Sequence, residues 1–179
     1  TRDAMLFERL NDTDEPMSFS PDGKKLAIGV GNGWQLIELA TNTSSSNIDP
    51  LREDLYITDL VFSQDGAQLH AAVSRSFEYS YSQTMSVQIW DVNNQLLIDE
   101  IILPEIETDL YENVDLSWPF YARSYPDGDQ YSIELWNLES RTYQKTAAGL
   151  SARDNSFSQD GKVLYSKVGG DLIAWRSID

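Results

Sequence analysis

Between Asp99 and Asp115 the chain carries Asp99, Glu100, Glu105, Glu107, Asp109, Glu112 and Asp115, with no lysine or arginine among them. Shortly upstream, in "SRSFEYSYSQTM" (74–85), Phe77, Tyr79 and Tyr81 alternate with smaller or polar residues. Carboxylates offer charge pairing, and ring faces offer cation–π and apolar contact. Together they suit a peptide bearing lysine or arginine. Phe77, Tyr79, Tyr81, Glu105, Glu107, Asp109 and Glu112 are therefore expected to contact a partner. A solvated acidic surface beside an extended hairpin, its rings packed on their neighbours, accounts for the same residues without a ligand.

Catalytic chemistry finds little to work with. The sequence has one histidine and no cysteine, which removes any Cys–His pair and leaves His70 as the sole candidate for a Ser–His–Asp arrangement. His70 occupies a strand position that Ala27 and Tyr165 fill in related segments, so it is expected to be a packed residue. Asp127-Gly128-Asp129 and Asp12-Thr13-Asp14 hint at calcium but fall short of the ligand count of a real loop site. "VGNG" and "VGG" are followed by no helix and are expected to be tight strand connections rather than phosphate loops. No catalytic residue, cofactor or metal is expected.

The charge balance points the same way. Against 29 acidic residues stand 13 basic ones, a net charge of −16. Binding to phosphate rests on lysine and arginine neutralising it, so nucleic acid and anionic membrane are not expected partners. A protein or peptide partner of basic character is compatible, as is plain solubility. No apolar run is long enough to cross a bilayer and no signal peptide is visible, so a cytoplasmic location is expected.

The elements that must carry these residues are announced by a repeated phrase. "FSPDGKKL" at 19–26 recurs as "FSQDGAQL" at 62–69 and "FSQDGKVL" at 157–164. Asp-Gly favours a tight hairpin turn, because glycine accepts positive φ. Each copy thus predicts strand, turn, strand. A third strand follows, ending at Trp90-Asp91, Trp136-Asn137 or Trp175, with Ile37 in the corresponding place of the first copy. A fourth follows in "LLIDEIIL" (96–103) and "TYQKTAA" (142–148). The third unit lacks the phrase, has its first hairpin shortened at Trp118-Pro119, and is assigned by its third strand. Repeated four-stranded antiparallel units are the signature of propeller blades.

The Phe-Ser-x-Asp-Gly hairpin followed by Ile-Trp-Asp resembles the WD40-type β-propeller family over nearly the whole chain. The resemblance implies an all-β fold of about four four-stranded antiparallel blades, either a partial propeller or half of a dimeric ring. The family's Gly-His pair is absent, and Trp-Asp occurs once, at Trp90-Asp91. A single domain over 1–179 is expected, with blades near 15–47, 56–103, 112–148 and 153–179 and residues 4–10 as a closing strand. Since propellers of this family usually have about seven blades, four would leave two apolar faces open to a second copy or another chain, unless residues 4–10 close a small four-bladed ring or the sequence is a piece of a larger propeller.

Alternation of strand direction gathers the second-to-third loops and the blade crossings on one face, and that is where the acidic and aromatic residues fall. Long loops on a rigid scaffold are where binding usually resides. The expected function is a non-catalytic protein–protein interaction scaffold using that face. The alternatives are a recognition or sensor fragment of a larger signalling protein, and a propeller enzyme or small-ligand binder.

Overall fold

Each repeated phrase closes a hairpin through its serine as well as its glycine. In the first copy, Gly23 N–H donates to Ser20 O (2.8 Å) and Lys25 N–H donates to Ser20 Oγ (2.9 Å). Asp22 Oδ1 accepts from Ser20 Oγ (2.8 Å) and from Lys24 N–H (3.1 Å). The second copy repeats the pattern with Ser63, Asp65, Gly66, Ala67 and Gln68. In the third, Gly161 N–H donates to Ser158 O and Val163 N–H to Ser158 Oγ. The three glycines have φ of +67°, +72° and +68°, a region glycine enters at the least cost.

The computed structural model of the protein describes residues 15–48, 55–76, 82–107, 113–149, 152–158, 161–168 and 171–176. These form four antiparallel sheets, the blades of a β-propeller, with no helix among the described residues. Blade 1 comprises β1 (Met17–Phe19), β2 (Lys25–Val30), β3 (Gly33–Glu38) and β4 (Thr43–Ile48). Blade 2 comprises β5 (Leu55–Phe62), β6 (Gln68–Ser76), β7 (Ser82–Asp91) and β8 (Leu96–Ile102), with the short β9 (Ile106–Glu107) also paired to β7. Blade 3 is β10 (Asn113–Ser117), β11 (Phe120–Asp127), β12 (Gln130–Asn137) and β13 (Thr142–Gly149). In blade 4 the described strands are β14 (Ala152–Phe157), β15 (Val163–Val168) and β16 (Asp171–Arg176). The closing strand expected at 4–10 lies outside the described residues.

Register makes the blades comparable residue by residue. Leu26 pairs with Ile37, Leu69 with Trp90, Tyr121 with Trp136 and Leu164 with Trp175. The same alignment equates Phe19, Phe62, Leu116 and Phe157, each opposite the first member of those pairs. The residue after the third-strand tryptophan caps the next turn: Asp91 Oδ1 accepts from Asn93 and Asn94 N–H, and Asn137 Oδ1 from Glu139 and Ser140 N–H. Both turns, and that of blade 1, end on a residue with φ near +55°: Asn42, Gln95 and Arg141.

Successive blades join through apolar side chains that alternate between a leading face, toward the preceding blade, and a trailing one. Between blades 1 and 2 pack Ala27, Trp34, Leu36, Leu60, Phe62 and Leu69. Between blades 2 and 3 pack Met85, Val87, Ile101, Leu116 and Tyr121, and between blades 3 and 4 pack Ala122, Ile133, Leu164 and Phe157. A carboxylate reinforces two of these junctions. Asp59 Oδ2 accepts from Leu116 N–H (2.7 Å), and Asp115 Oδ2 accepts from Phe157 N–H. A Cβ on Gly29 would meet Pro16 at 2.8 Å and Ile57 at 3.1 Å, so glycine is what lets β2 approach β5.

The two end faces differ from the interior junctions. Phe19 is 64% exposed, whereas its register counterparts Phe62 and Leu116 are buried. Leu172 is 73% exposed, whereas Trp34, Val87 and Ile133 at the same register are buried. Met17 beside Phe19 and Tyr165 beside Leu172 are exposed too. Farther out on the leading face of blade 1, Leu26, Ile28 and Ile37 are buried in a cluster of their own with Val30.

Candidate functional site

The expected binding face is assembled by the hairpin of β6 and β7 and by the crossing from blade 2 to blade 3. The hairpin arms run on beyond the length of their sisters, pairing Ser74 with Met85, Arg75 with Thr84 and Ser76 with Gln83. The described parts of the 74–85 insert, 74–76 and 82–85, are thus regular strand. Beside it, β9 pairs Gln83 with Ile106 and Ser82 with Glu107. The acidic crossing therefore lies along the root of the aromatic insert. Glu105 is exposed there, and Glu107 is placed by its backbone. Phe77, Tyr79, Tyr81, Asp109 and Glu112 lie outside the described residues.

Several acids of the crossing have defined structural partners. Glu100 Oε1 accepts from Ser86 Oγ (2.7 Å) and Gln88 Nε2 (3.2 Å). Asp99 caps the N–H of Glu100 and lies 3.4 Å from the guanidinium of Arg141, in an exposed ion pair. Burial raises the carboxyl of Asp115 above the ordinary range, opposed by the N–H of Phe157. Burial likewise pushes Asp59 up to about 7, against the N–H groups of Leu116 and Leu60 that favour its charged form. Asp22 and Asp65 go the opposite way. Hydrogen bonds from Ser20 and Ser63, and then from turn N–H groups, hold them below the usual carboxylate range.

His70 is fully buried and stacked on Trp118, ring centroids 4.1 Å apart. Its Nε2 lies 3.3 Å from Gln68 Oε1 and its Nδ1 has no partner, so no carboxylate orients the ring. Burial lowers it to about 4, and it is neutral at physiological pH. Among the described residues no group of three or more histidines, aspartates or glutamates is placed to hold a metal ion.

A buried polar network in blade 3 escaped the sequence. Arg123 Nε donates to Glu134 Oε2 (2.8 Å), and its Nη2 reaches the same oxygen at 2.7 Å and Pro104 O at 3.0 Å. Tyr125 Oη donates to Glu134 Oε1 (2.8 Å), and Trp136 Nε1 points at Oε2 (3.3 Å). Charge pairing with hydrogen bonds to the remaining lone pairs is what makes such burial tolerable. Trp90 follows the same rule, donating to Gln88 Oε1 two residues back, at 3.2 Å. In blade 4 that position is Ile173, and Trp175 Nε1 lacks an acceptor. A polar residue two before Trp90 and Trp136 was a readable signal; Arg123 opposite Glu134 required the register.

No family model and no curated protein matches the sequence. The fold does match solved propellers. One is a chain of the mitotic checkpoint complex, at 13% identity and TM-score 0.57, over 90% of this chain and 46% of that one. Another is the acylaminoacyl peptidase of Pyrococcus horikoshii, at 18% identity and TM-score 0.58, over 86% and 28%. A third is the β-propeller domain of the trilobed protease from Pyrococcus furiosus, which has an open velcro topology, at 17% identity and TM-score 0.54, over 89% and 55%. The chain spans about half or less of the solved chains it matches, and the likeness is one of β-propeller fold.

Proposed function

We propose that this chain is a non-catalytic protein-interaction module whose four blades are completed by another protein chain, most simply a second copy. The observation that carries the proposal is the exposure of Phe19 and Leu172 at registers where Phe62 and Leu116, and Trp34, Val87 and Ile133, are buried and Phe157 is half-buried. Burying one such side chain stabilises by about 2 kcal/mol. Phe19, Met17 and Leu172 together give on the order of 6 kcal/mol per junction, and about 12 kcal/mol over the two junctions of a twofold pair, before an association cost of roughly 4 kcal/mol or more is subtracted. What is left is at best a micromolar contact. Propellers of the matched kind occur in an assembly and in peptidases alike, and His70 offers this chain no catalytic base.

The finer part of the proposal concerns the crossing face. Glu105, Glu107, Asp109 and Glu112, together with Phe77, Tyr79 and Tyr81, hold a basic segment of a further protein, distinct from a second copy of this acidic chain. Immobilised chain should capture soluble chain, and Leu172→Asp should abolish that capture while leaving the melting temperature unchanged. Lysine at 105, 107 and 109 should instead slow association with a lysine-rich peptide and weaken its salt dependence. Undiminished self-capture by Leu172→Asp would remove the completion proposal. Equal peptide binding by the charge-reversed chain would return those acids to a solvated surface.

A further inference from the structure

At two interior junctions a carboxylate on the first strand of one blade takes a backbone N–H on the first strand of the next. Asp59 holds that of Leu116, and Asp115 that of Phe157. Leu116 and Phe157 stand at the register of Phe19. In blade 1, Ser20 N–H donates to Lys25 O and Gly29 N–H to Pro16 O. Antiparallel pairing uses alternate residues, so the N–H of Phe19 is turned away from β2, to the free edge of β1. The turn of blade 1 is open in the same way. A Cβ added to Gly66 would meet Pro21 of the preceding turn at 3.5 Å, and one added to Gly161 would meet Phe120 and Ser117 of the preceding hairpin at 3.1 and 3.3 Å. Around Gly23 no described atom lies within 4 Å. Successive hairpins nest, and the first of them has no neighbour to nest on.

The matching half lies in blade 4. Ahead of the repeated phrase, Asp59 begins "DLVFSQDG" (59–66) and Asp154 begins "DNSFSQDG" (154–161). Pro16 and Asn113 hold this place in blades 1 and 3. Both strands also break register here, between Ile57 and Asp59 in β5 and between Arg153 and Ser156 in β14. The irregularity in β14 is pinned by Asn155, which donates to Ser124 Oγ of blade 3 (3.0 Å) and accepts from Ser166 Oγ (2.7 Å). Asp154 thus repeats the position of Asp59, on a blade that no described blade follows.

We propose that Asp154 is the hook of a junction between chains: in a twofold pair its carboxylate accepts the Phe19 N–H of the second copy, and the blade 4 hairpin nests on that copy's turn at Gly23. A second copy is the occupant because this chain supplies both halves of the junction, a free N–H at the hooked register and an aspartate at the hooking position. A charge-assisted bond to a fixed backbone donor also gives the contact direction, trailing edge to leading edge, which apolar faces alone do not. The proposal rests on the reading of the four blades as completed by a second copy.

Paired variants of the full chain test it. Phe19→Asp spoils a chain's leading edge and Leu172→Asp its trailing edge, so each alone should lose self-association. Mixed in equal amounts, the two should pair again through the one junction left intact, between blade 4 of the Phe19→Asp chain and blade 1 of the Leu172→Asp chain. Asp154→Ala placed in the Phe19→Asp chain lies in that junction and should weaken the mixed pair by about fivefold or more in sedimentation equilibrium. The same substitution placed in the Leu172→Asp chain lies outside it and should change nothing, which separates a hook from a contribution to folding. Asp154→Asn keeps a neutral acceptor, should weaken the pair less, and carries the test if Asp154→Ala fails to fold. Equal effects from the two placements, or none from either, would overturn the hook and leave the completion proposal standing. A Phe19 N–H already protected from hydrogen exchange in the dilute monomer would overturn it too, by revealing an acceptor within the same chain. If the parent self-associates but the mixed chains do not, the direction and the hook both fall. If the parent never self-associates, the completion proposal falls and takes the hook with it.

Discussion

Asp59 is one of 29 acidic residues, and nothing local assigns it a role. Its partner, the N–H of Leu116, is 57 positions away, so its role as the hook between blades 2 and 3 depends on a junction no sequence window spans. Burial pushes its carboxyl up to about 7. The folded chain therefore keeps a proton that the unfolded chain loses near 4, and the contribution of Asp59 to stability is full at low pH and is lost as pH rises through about 7. His70, lowered to about 4, acts in the opposite direction between that value and 6.5, so the comparison must be made against a variant that keeps it. Asp59→Asn removes the titration. Its stability relative to the parent should rise from pH 5 to about 7, by up to about 1.4 kcal/mol per pH unit, and level off by pH 8. Urea unfolding at the two pH values reads this directly, and an unchanged difference would contradict the assigned burial. His70 itself was legible as a packed residue from its alignment with Ala27 and Tyr165, because register carries over between repeats.

At the scale of elements the repeated phrase was informative because its determinants are local. Serine, aspartate and glycine lie within four positions of one another, and their hydrogen bonds close within the turn. The glycine was readable from Asp-Gly alone; the serine, repeated just as faithfully, proved to hold the strand after the turn through its hydroxyl. Gly66→Val should cost about 1 kcal/mol or more through positive φ in a β-branched residue. Strain would be the cause, since the nearest atom to an added Cβ is Pro21 Cδ, at an ordinary 3.5 Å. A thermal melt superimposable on the parent's would refute the turn geometry. Trp-Asp, sparse as a motif, turns out to be one form of a capping position that Asn137 fills equally well. The candidate site was less legible. Residues 99–115 looked uniformly like surface, yet Asp99, Glu100 and Asp115 are engaged in pairing and junction contacts.

On the scale of the whole molecule, stacked blades are stable because each buries its neighbour's faces, and an end blade lacks that cover on one side. Phe19 and Leu172 are where this absence becomes visible. A trailing face like that of blade 4 and a leading face like that of blade 1 are the two halves of a junction this chain already builds between its own blades. Two copies in a twofold arrangement would offer each half to the other twice, although the buried cluster of Leu26, Ile28 and Ile37 confines the open part of blade 1 to its inner strand. The most direct measurement is the solution mass of the purified chain by light scattering across a concentration series through the micromolar range. The account predicts a concentration-dependent rise toward twice the chain mass, abolished by Leu172→Asp and by Phe19→Asp. A monomer at every concentration, unaffected by either substitution, would contradict it.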